Sequence, residues 1–218
     1  MDTTTTIRVM LVEDHEDLRE SQFHLINSSE GHVCVAAFET AESAVVALNS
    51  VKPDVVLMDI NLGEGRMDGI EATRRIKQQR PDTLVVIQSL FQDDDKVLNA
   101  IRAGADGYIV KGASNDSVLE IIDRVVHHDP PMTPGVALQV LRLLRQNSAA
   151  KPRLLKGQPI PPDLQLSPIR ERILEMLIDG KPYKLIADQL HMSIDAVRFH
   201  IKEIYKRLRS VEGDSPNR

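Results

Sequence analysis

Five short apolar runs punctuate the first part of the chain: Ile7–Val12, Val33–Phe38, Val55–Met58, Leu84–Ile87 and Gly107–Val110. Each is aliphatic or β-branched and largely without alternation, the pattern of strands buried on both faces of a parallel sheet. Between them the apolar residues change period. Ala44, Val45 and Leu48 recur at helical spacing, as do Val97 and Ile101, and then Val118, Ile121, Ile122 and Val125. Strands alternating with helices predict a doubly wound α/β domain around a five-stranded parallel sheet.

The texture changes after His127-His128-Asp129-Pro130-Pro131. Thr133 to Arg145, with Val140, Leu141 and Leu144, is amphipathic and predicts a connecting helix. Asn147 to Gln165 carries Pro152, Pro159, Pro161 and Pro162 without periodicity, which predicts a linker. From Leu166 the pattern is helical only. Ile169, Ile173, Leu174, Leu177 and Ile178 make one face, closed by Asp179-Gly180, and Ile186, Ala187 and Leu190 mark a short second helix. Ser193 is a suitable N-cap for a third helix, whose apolar stripe is Val197, Ile201, Ile204 and Leu208. The expected organisation is residues 1–128 for the α/β domain, 129–165 for the connecting helix and linker, and 166–218 for a smaller all-α domain.

Composition narrows the class. The chain is 42% hydrophobic and 27% charged, as globular proteins are. No stretch approaches the roughly 18 apolar residues of a membrane span. Met1 to Thr6 is polar and no basic segment leads into an apolar run, so no secretory signal is expected. The lone cysteine, Cys34, sits in an apolar run and is expected to be a buried thiol. A cytoplasmic protein without membrane contact is the expectation. The net charge of −5 conceals an asymmetry: residues 1–150 hold 14 Lys and Arg against 23 Asp and Glu (−9), and residues 151–218 hold 13 against 9 (+4). An acidic front and a basic back predict different partners, with nucleic acid suited to the second.

The candidate chemistry lies at strand ends. Glu13-Asp14 follows the first strand, Asp59 the third, Ser89 closely the fourth and Lys111 the fifth. Ligands of open parallel sheets bind at the carboxyl ends of the strands, near the point where strand order reverses, so these residues are expected to converge. Three carboxylates without His or Cys suit Mg²⁺. A carboxylate can take a phosphoryl group as an acyl phosphate, and an ammonium and a hydroxyl would bind phosphoryl oxygens. Any one of these residues alone reads as a turn former or helix cap; the ordered set carries the inference. Asp93-Asp94-Asp95 reads as a helix start facing the helix dipole, His127-His128 as an exposed helix end, and Tyr108, taken by itself, as a half-exposed strand aromatic.

The stretches Val9-Met10-Leu11-Val12-Glu13-Asp14-His15, Asp54-Val55-Val56-Leu57-Met58-Asp59-Ile60 and Ala103 to Lys111 resemble the receiver domain of bacterial response regulators, over about residues 5–128. The resemblance implies a flavodoxin-like fold with Asp59 as phosphoacceptor. It implies Mg²⁺ held by Glu13, Asp14, Asp59 and the backbone carbonyl of Asn61. Ser89 and Lys111 would bind the phosphoryl group, and Tyr108 would swing inward with Ser89. Activity would be limited to self-phosphorylation and slow autodephosphorylation. The chain departs from the family after Asp59: Leu62 to Gly69 has no proline and is about two residues longer than usual, and Leu90 and Phe91 are bulkier than the family's residues there. A rival reading, a phosphatase of the haloacid-dehalogenase type, needs a second aspartate where this chain has Asn61.

In the basic half, a tight turn (Leu190 to Ser193) and a longer basic helix form the pattern of a helix-turn-helix reader. Arg198, Lys202 and Tyr205 are expected to form an outward stripe beside the buried one. Tyr183 to Ser193 and Val197 to Leu208 resemble the LuxR-type domain, which with a receiver makes the chain similar to the NarL/FixJ subfamily of transcription regulators. The resemblance implies base-reading by Arg198, Phe199 and Lys202. Lys184, Lys206 and Arg207 would be phosphate neighbours, Ser193 would also belong to the DNA-binding surface, and His200 would be a packing and backbone-contact residue. It also implies a sensor histidine kinase, double-stranded DNA and a homodimer formed on phosphorylation. Two departures bear on this: Arg170 stands where the family has a helix-bracing glutamate, and Arg209 to Arg218 is too polar and short for the family's fourth helix. They motivate the alternative of a helix-turn-helix that binds a protein.

Overall fold

The computed structural model describes residues 6–89, 94–111, 118–127, 132, 136–138, 140 and 167–209. The expected linker, most of the connecting helix, Leu90, Phe91, Asp93, His128 and the segment after Arg209 lie outside these residues. By spatial clustering the chain divides into two compact units, residues 1–91 with 103–131, and residues 92–102 with 132–218.

The first unit is built on β1 (Ile7–Val12), α1 (Glu16–Asn27), β2 (His32–Phe38), α2 (Ala41–Val51), β3 (Val55–Asp59), α3 (Gly69–Gln79), β4 (Leu84–Ser89), β5 (Gly107–Val110) and α5 (Val118–Val126). The strands pair in parallel in the order β2-β1-β3-β4-β5, a doubly wound sheet whose direction reverses between β1 and β3. All five apolar runs are strands. Their continuous character has the anticipated cause, because Val9, Leu11, Val55, Leu57, Val86 and Ile109 pack under α1 and α5 through Ile26, Ile121, Ile122 and Val125. Met10, Val12, Val56, Met58, Val85 and Ile87 alternate with them and are equally buried on the other face. Cys34 is buried and free, and burial pushes its thiol up to about 11.

The helices begin where side chains can cap them. Thr40 Oγ1 accepts from the Ser43 N–H at 3.3 Å before α2, and Asp68 Oδ1 from the Glu71 N–H at 2.8 Å before α3.

The second unit contains α4 (Asp94–Arg102), α6 (Pro168–Ile178), α7 (Tyr183–Gln189) and α8 (Ile194–Arg209). Pro168 opens α6, where its missing N–H costs nothing. His191 takes the left-handed conformation (φ 51°) in the turn between α7 and α8, and Ser193 Oγ accepts from the Ala196 N–H at 3.1 Å as the expected cap. Ile173, Leu174 and Leu177 of α6 are buried, as are Ile186 and Ala187 of α7 and the whole stripe Val197, Ile201, Ile204, Leu208 of α8.

One expectation here is corrected: Tyr205 is buried, not outward-facing. It neighbours Ile204 and Leu208 on the helix, so it falls on the edge of the apolar stripe and widens it. The unusual Arg170 also acquires a role, since its Nη2 lies 3.6 Å from Glu203 Oε2 and ties α6 to α8 with an ion pair. Among the described residues, no helix is long and apolar enough to cross a membrane.

Candidate functional site

Strand register brings the acidic residues together. Val12 lies opposite Met58, Asp59 opposite Gln88, and Ser89 opposite Val110, so the residues that end or follow these strands share one edge of the sheet. Glu13 and Asp14 follow β1, Asp59 ends β3, Ser89 ends β4 and Lys111 follows β5. The Glu13 N–H donates to the Phe38 carbonyl at 3.0 Å, and the Lys111 N–H to the Ser89 carbonyl at 2.7 Å, which extends the ladder to both flanks of the site.

Carboxylate oxygens of Glu13, Asp14 and Asp59 all lie within 4.8 Å of one another. Glu13 and Asp59 are 1% and 5% exposed, whereas Asp14 is open to solvent. Lys111 crosses the cluster: its Nζ donates to Glu13 Oε2 at 2.6 Å and to Asp59 Oδ2 at 2.7 Å. The Asn61 N–H donates to Asp59 Oδ1 at 3.2 Å. From α1, Arg19 Nη1 donates to the carbonyls of Glu13 and Asp14 at 2.8 and 3.2 Å and fixes the loop that presents them.

The electrostatics follow from burial. Desolvation pushes the Glu13 carboxyl above the usual carboxylate range, against the opposing pull of Lys111. Burial alone would lower Lys111, but its bonds to Asp59 and Glu13 hold it above the ordinary lysine range. Three carboxylates, two of them bonded to one ammonium, leave negative charge at the sheet edge. This all-oxygen donor set fits a hard divalent cation.

The longer loop after Asp59 is braced from β2 and α2. Arg66 Nη1 meets Glu39 Oε1 at 2.8 Å, and the Met67 N–H donates to Glu42 Oε1 at 2.7 Å. Where α3 begins, Gly69 passes so close to β3 that a Cβ there would collide with the Asp59 carbonyl oxygen and lie 2.9 Å from its carbon. Any side chain at residue 69 would push on the backbone of the central carboxylate.

Ser89 is fully buried at the end of β4. Tyr108 departs from the half-exposed aromatic expected of it: it is 0% exposed, because β5 is covered on both faces. Two residues with no motif to mark them also line this region. Gln88 is opposite Asp59 on the sheet, and Gln22 of α1 donates its Nε2–H to Gln88 Oε1 at 3.0 Å; both are buried, and Gln22 Oε1 has no partner among the described residues. Only long-range pairing distinguishes them from ordinary polar residues.

In the helical unit, Lys184 of α7, Ser193, and Arg198, Phe199, Lys202 and Lys206 of α8 are all exposed. Arg198 Nη1 is steadied by Asp195 Oδ1 at 3.0 Å. Burial, with the positive charge of Arg170 adding to it, holds His200 below the usual histidine range, as suits a neutral packed ring.

A carboxylate cluster crossed by a lysine at the switch point of a five-stranded parallel sheet, in one chain with a helix-turn-helix, defines a response regulator with a DNA-binding output. Comparison with known proteins gives the family. Residues 9–123 match the response regulator receiver domain, and residues 164–211 match the bacterial regulatory proteins of the luxR family. The transcriptional regulatory protein LiaR of Bacillus subtilis is 31% identical, across 93% of this chain and 90% of LiaR. DegU of Brevibacillus brevis is 27% identical across 93% of this chain and 87% of its own. A LuxR-family two-component response regulator from Aurantimonas superimposes with a TM-score of 0.59 at 32% identity, over 64% of this chain and 98% of that one. The fold extends to RcsB of Salmonella enterica, solved bound to a promoter with a phosphomimetic, with a TM-score of 0.56 at 20% identity, over 96% of this chain and 95% of that one. The chain therefore belongs to the NarL/FixJ subfamily of two-component response regulators, which are DNA-binding transcription regulators.

Proposed function

We propose that Asp59 is the phosphoacceptor and that its modification by a sensor histidine kinase switches the DNA-binding activity of the chain. The observation that carries this reading is the bridge from Lys111 Nζ to both Asp59 and Glu13, beside the open carboxylate of Asp14. An Asp59 carboxylate oxygen attacks the phosphorus of the donor's phosphohistidine, the P–N bond breaks, and the imidazole leaves with the bond's electrons. Glu13, Asp14, Asp59 and the backbone carbonyl of Asn61 would hold Mg²⁺, which neutralises charge on the phosphoryl oxygens when bound. Lys111 exchanges a carboxylate partner for a phosphoryl oxygen, and the Ser89 hydroxyl moves to another. Tyr108 responds to the displacement of Ser89. The acyl phosphate is lost by slow self-catalysed hydrolysis, and no outside substrate is turned over.

Residues 1–128 form the receiver, 129–165 the connecting helix and linker, and 166–218 the DNA-binding domain. Phosphorylation favours a cytoplasmic homodimer whose α8 helices read two half-sites of duplex DNA about one turn apart. Arg198, Phe199 and Lys202 face bases; Lys184, Ser193 and Lys206 face the DNA backbone. The alternative, a helix-turn-helix that binds a protein, loses one of its motives, because Arg170 braces the helices by its pair with Glu203.

The test is intact mass after incubation with Mg²⁺ and acetyl phosphate, for the wild type and for Asp59→Asn. The expected result is one phosphoryl adduct, removed by hydroxylamine and absent from the variant. An adduct on the variant, or none on a wild type that binds Mg²⁺, would overturn the assignment of Asp59.

A further inference from the structure

The loop between β3 and α3 carries a cation to the rim of the acidic pocket. Arg66 Nη1 donates to Glu39 Oε1 at 2.8 Å, and the two side chains are 43% and 55% exposed. The place of that pair follows from the sheet. Val12 lies opposite Phe38 and the Glu13 N–H donates to the Phe38 carbonyl at 3.0 Å, so Glu39 emerges from the same edge, one strand away from Glu13. Glu39 first, and then Glu42 and Asp14, hold the guanidinium above the ordinary arginine range, which sets it in the field of the pocket's exposed carboxylate. The backbone behind it is fixed: the Met67 N–H donates to Glu42 Oε1 at 2.7 Å, and Asp68 caps α3. The pair with Glu39 is solvated on both sides, and such pairs contribute little in water and exchange partners readily.

Two other cations hold the pocket itself. Lys111 Nζ is bonded to Glu13 and Asp59, and Arg19 Nη1 to the carbonyls of Glu13 and Asp14. Arg66 rests instead on a carboxylate outside the pocket. A phosphoryl group on Asp59 brings further negative charge to the rim, and the planar fork of a guanidinium fits phosphoryl oxygens as well as it fits a carboxylate. We propose that Arg66 is a phosphoryl-binding residue of this site, whose guanidinium leaves Glu39 for a phosphoryl oxygen on the solvent side of the pocket, beside Asp14. Glu39 keeps the cation at the rim, clear of the clustered carboxylates, until that group arrives. This rests on the reading of Asp59 as the phosphoacceptor. An Arg66 that only tied the loop to the end of β2 would behave differently, because removing either Arg66 or Glu39 would then loosen the same loop.

The experiment is an NMR titration of the full-length chain, first with Mg²⁺ alone and then with beryllofluoride, the phosphoryl mimic, in saturating Mg²⁺. Arg66→Ala is expected to bind beryllofluoride about three- to tenfold more weakly than the wild type, the effect of a charged hydrogen bond discounted for the solvent at the rim. Arg66→Lys, which keeps the charge and loses the fork, is expected to fall between the two. Glu39→Gln is expected to bind beryllofluoride more tightly, because the guanidinium no longer has to be released, and to show no such gain when combined with Arg66→Ala. Mg²⁺ alone should bind Arg66→Ala at least as tightly as the wild type, since a cation near Asp14 has been removed. Weaker binding of both Mg²⁺ and beryllofluoride in Arg66→Ala and in Glu39→Gln would make Arg66 a loop brace and overturn the proposal. Unchanged beryllofluoride affinity in Arg66→Ala would overturn it too, as would strictly additive effects in the double variant, which would reduce both residues to a field at the rim. A wild type that binds Mg²⁺ but no beryllofluoride would overturn the reading of Asp59 itself, and the role of Arg66 with it.

Discussion

Replacing Lys111 by methionine keeps the aliphatic stem and removes the charge. The two bonds lost are short, 2.6 Å to Glu13 and 2.7 Å to Asp59, and all three side chains are at most 12% exposed. Breaking a buried ion pair by removing one partner costs about 3–5 kcal/mol, because the remaining charge keeps its desolvation penalty without compensation. Two carboxylates are stranded here, so the upper part of that range is expected at neutral pH in the presence of chelator. The cost has a definite pH dependence. The folded-state pKa of Glu13 is already raised by burial, and losing the ammonium raises it further. A group with a raised folded pKa destabilises the fold progressively as pH climbs from its unfolded value through its folded one. The penalty of Lys111→Met should therefore shrink as pH falls below neutrality, because protonation of Glu13 relieves its stranded charge. Lys111 itself, held above the ordinary lysine range, contributes fully up to that range and loses its contribution only as pH rises through its folded value. Urea unfolding of both proteins in chelator across this span, followed by circular dichroism, measures the difference. A penalty below about 1 kcal/mol, or one that does not vary with pH, would refute the claim that burial and this ammonium set the electrostatics of the site.

At Gly69, alanine would drive its Cβ into the Asp59 backbone; a loss of roughly 2–3 kcal/mol, typical of overpacking, is expected in the same unfolding assay, together with weaker Mg²⁺ binding. Gln22→Leu or Gln88→Leu alone leaves a buried amide without its partner and should cost about 1–3 kcal/mol, whereas the double variant should lie close to the wild type; additive losses would mean that the pair is not coupled. Arg170→Ala should destabilise the helical unit and reduce DNA affinity. Exchanging charges (Arg170→Glu with Glu203→Arg) should restore much of both, and a thermal melt of the two variants reads the difference.

Much of the α/β unit was legible because buried parallel strands announce themselves as unbroken apolar runs. Each such run became a strand, and the edge residues followed, since the position of Asp59 after Val55–Met58 fixes which end of the sheet it occupies. The helical stripes of α6 and α8 were legible for the same reason, as burial imposes period. What was missed depends on long-range approach. Nothing local distinguishes Gly69 from other turn glycines, and its need for a bare Cα comes from β3. Gln22 and Gln88 are 66 positions apart and gain meaning only when the fold brings a side chain of α1 to the end of β4. Arg170 seemed to be a lost brace, because the compensating Glu203 belongs to another helix. Tyr108 and Tyr205 were both expected nearer to solvent than they are: a phenol ring satisfies either an amphipathic or a core position, and packing decides which.

The most direct test of the central claim is the affinity of the full-length chain for its selected duplex, with and without Mg²⁺ and beryllofluoride, in the wild type and Asp59→Ala. The account predicts that beryllofluoride tightens wild-type binding at least about tenfold, a typical allosteric coupling, and leaves Asp59→Ala unchanged. Equal affinity in all four conditions, with beryllofluoride shown to occupy the wild-type site, would contradict it: the acidic pocket and the helix-turn-helix would then act independently.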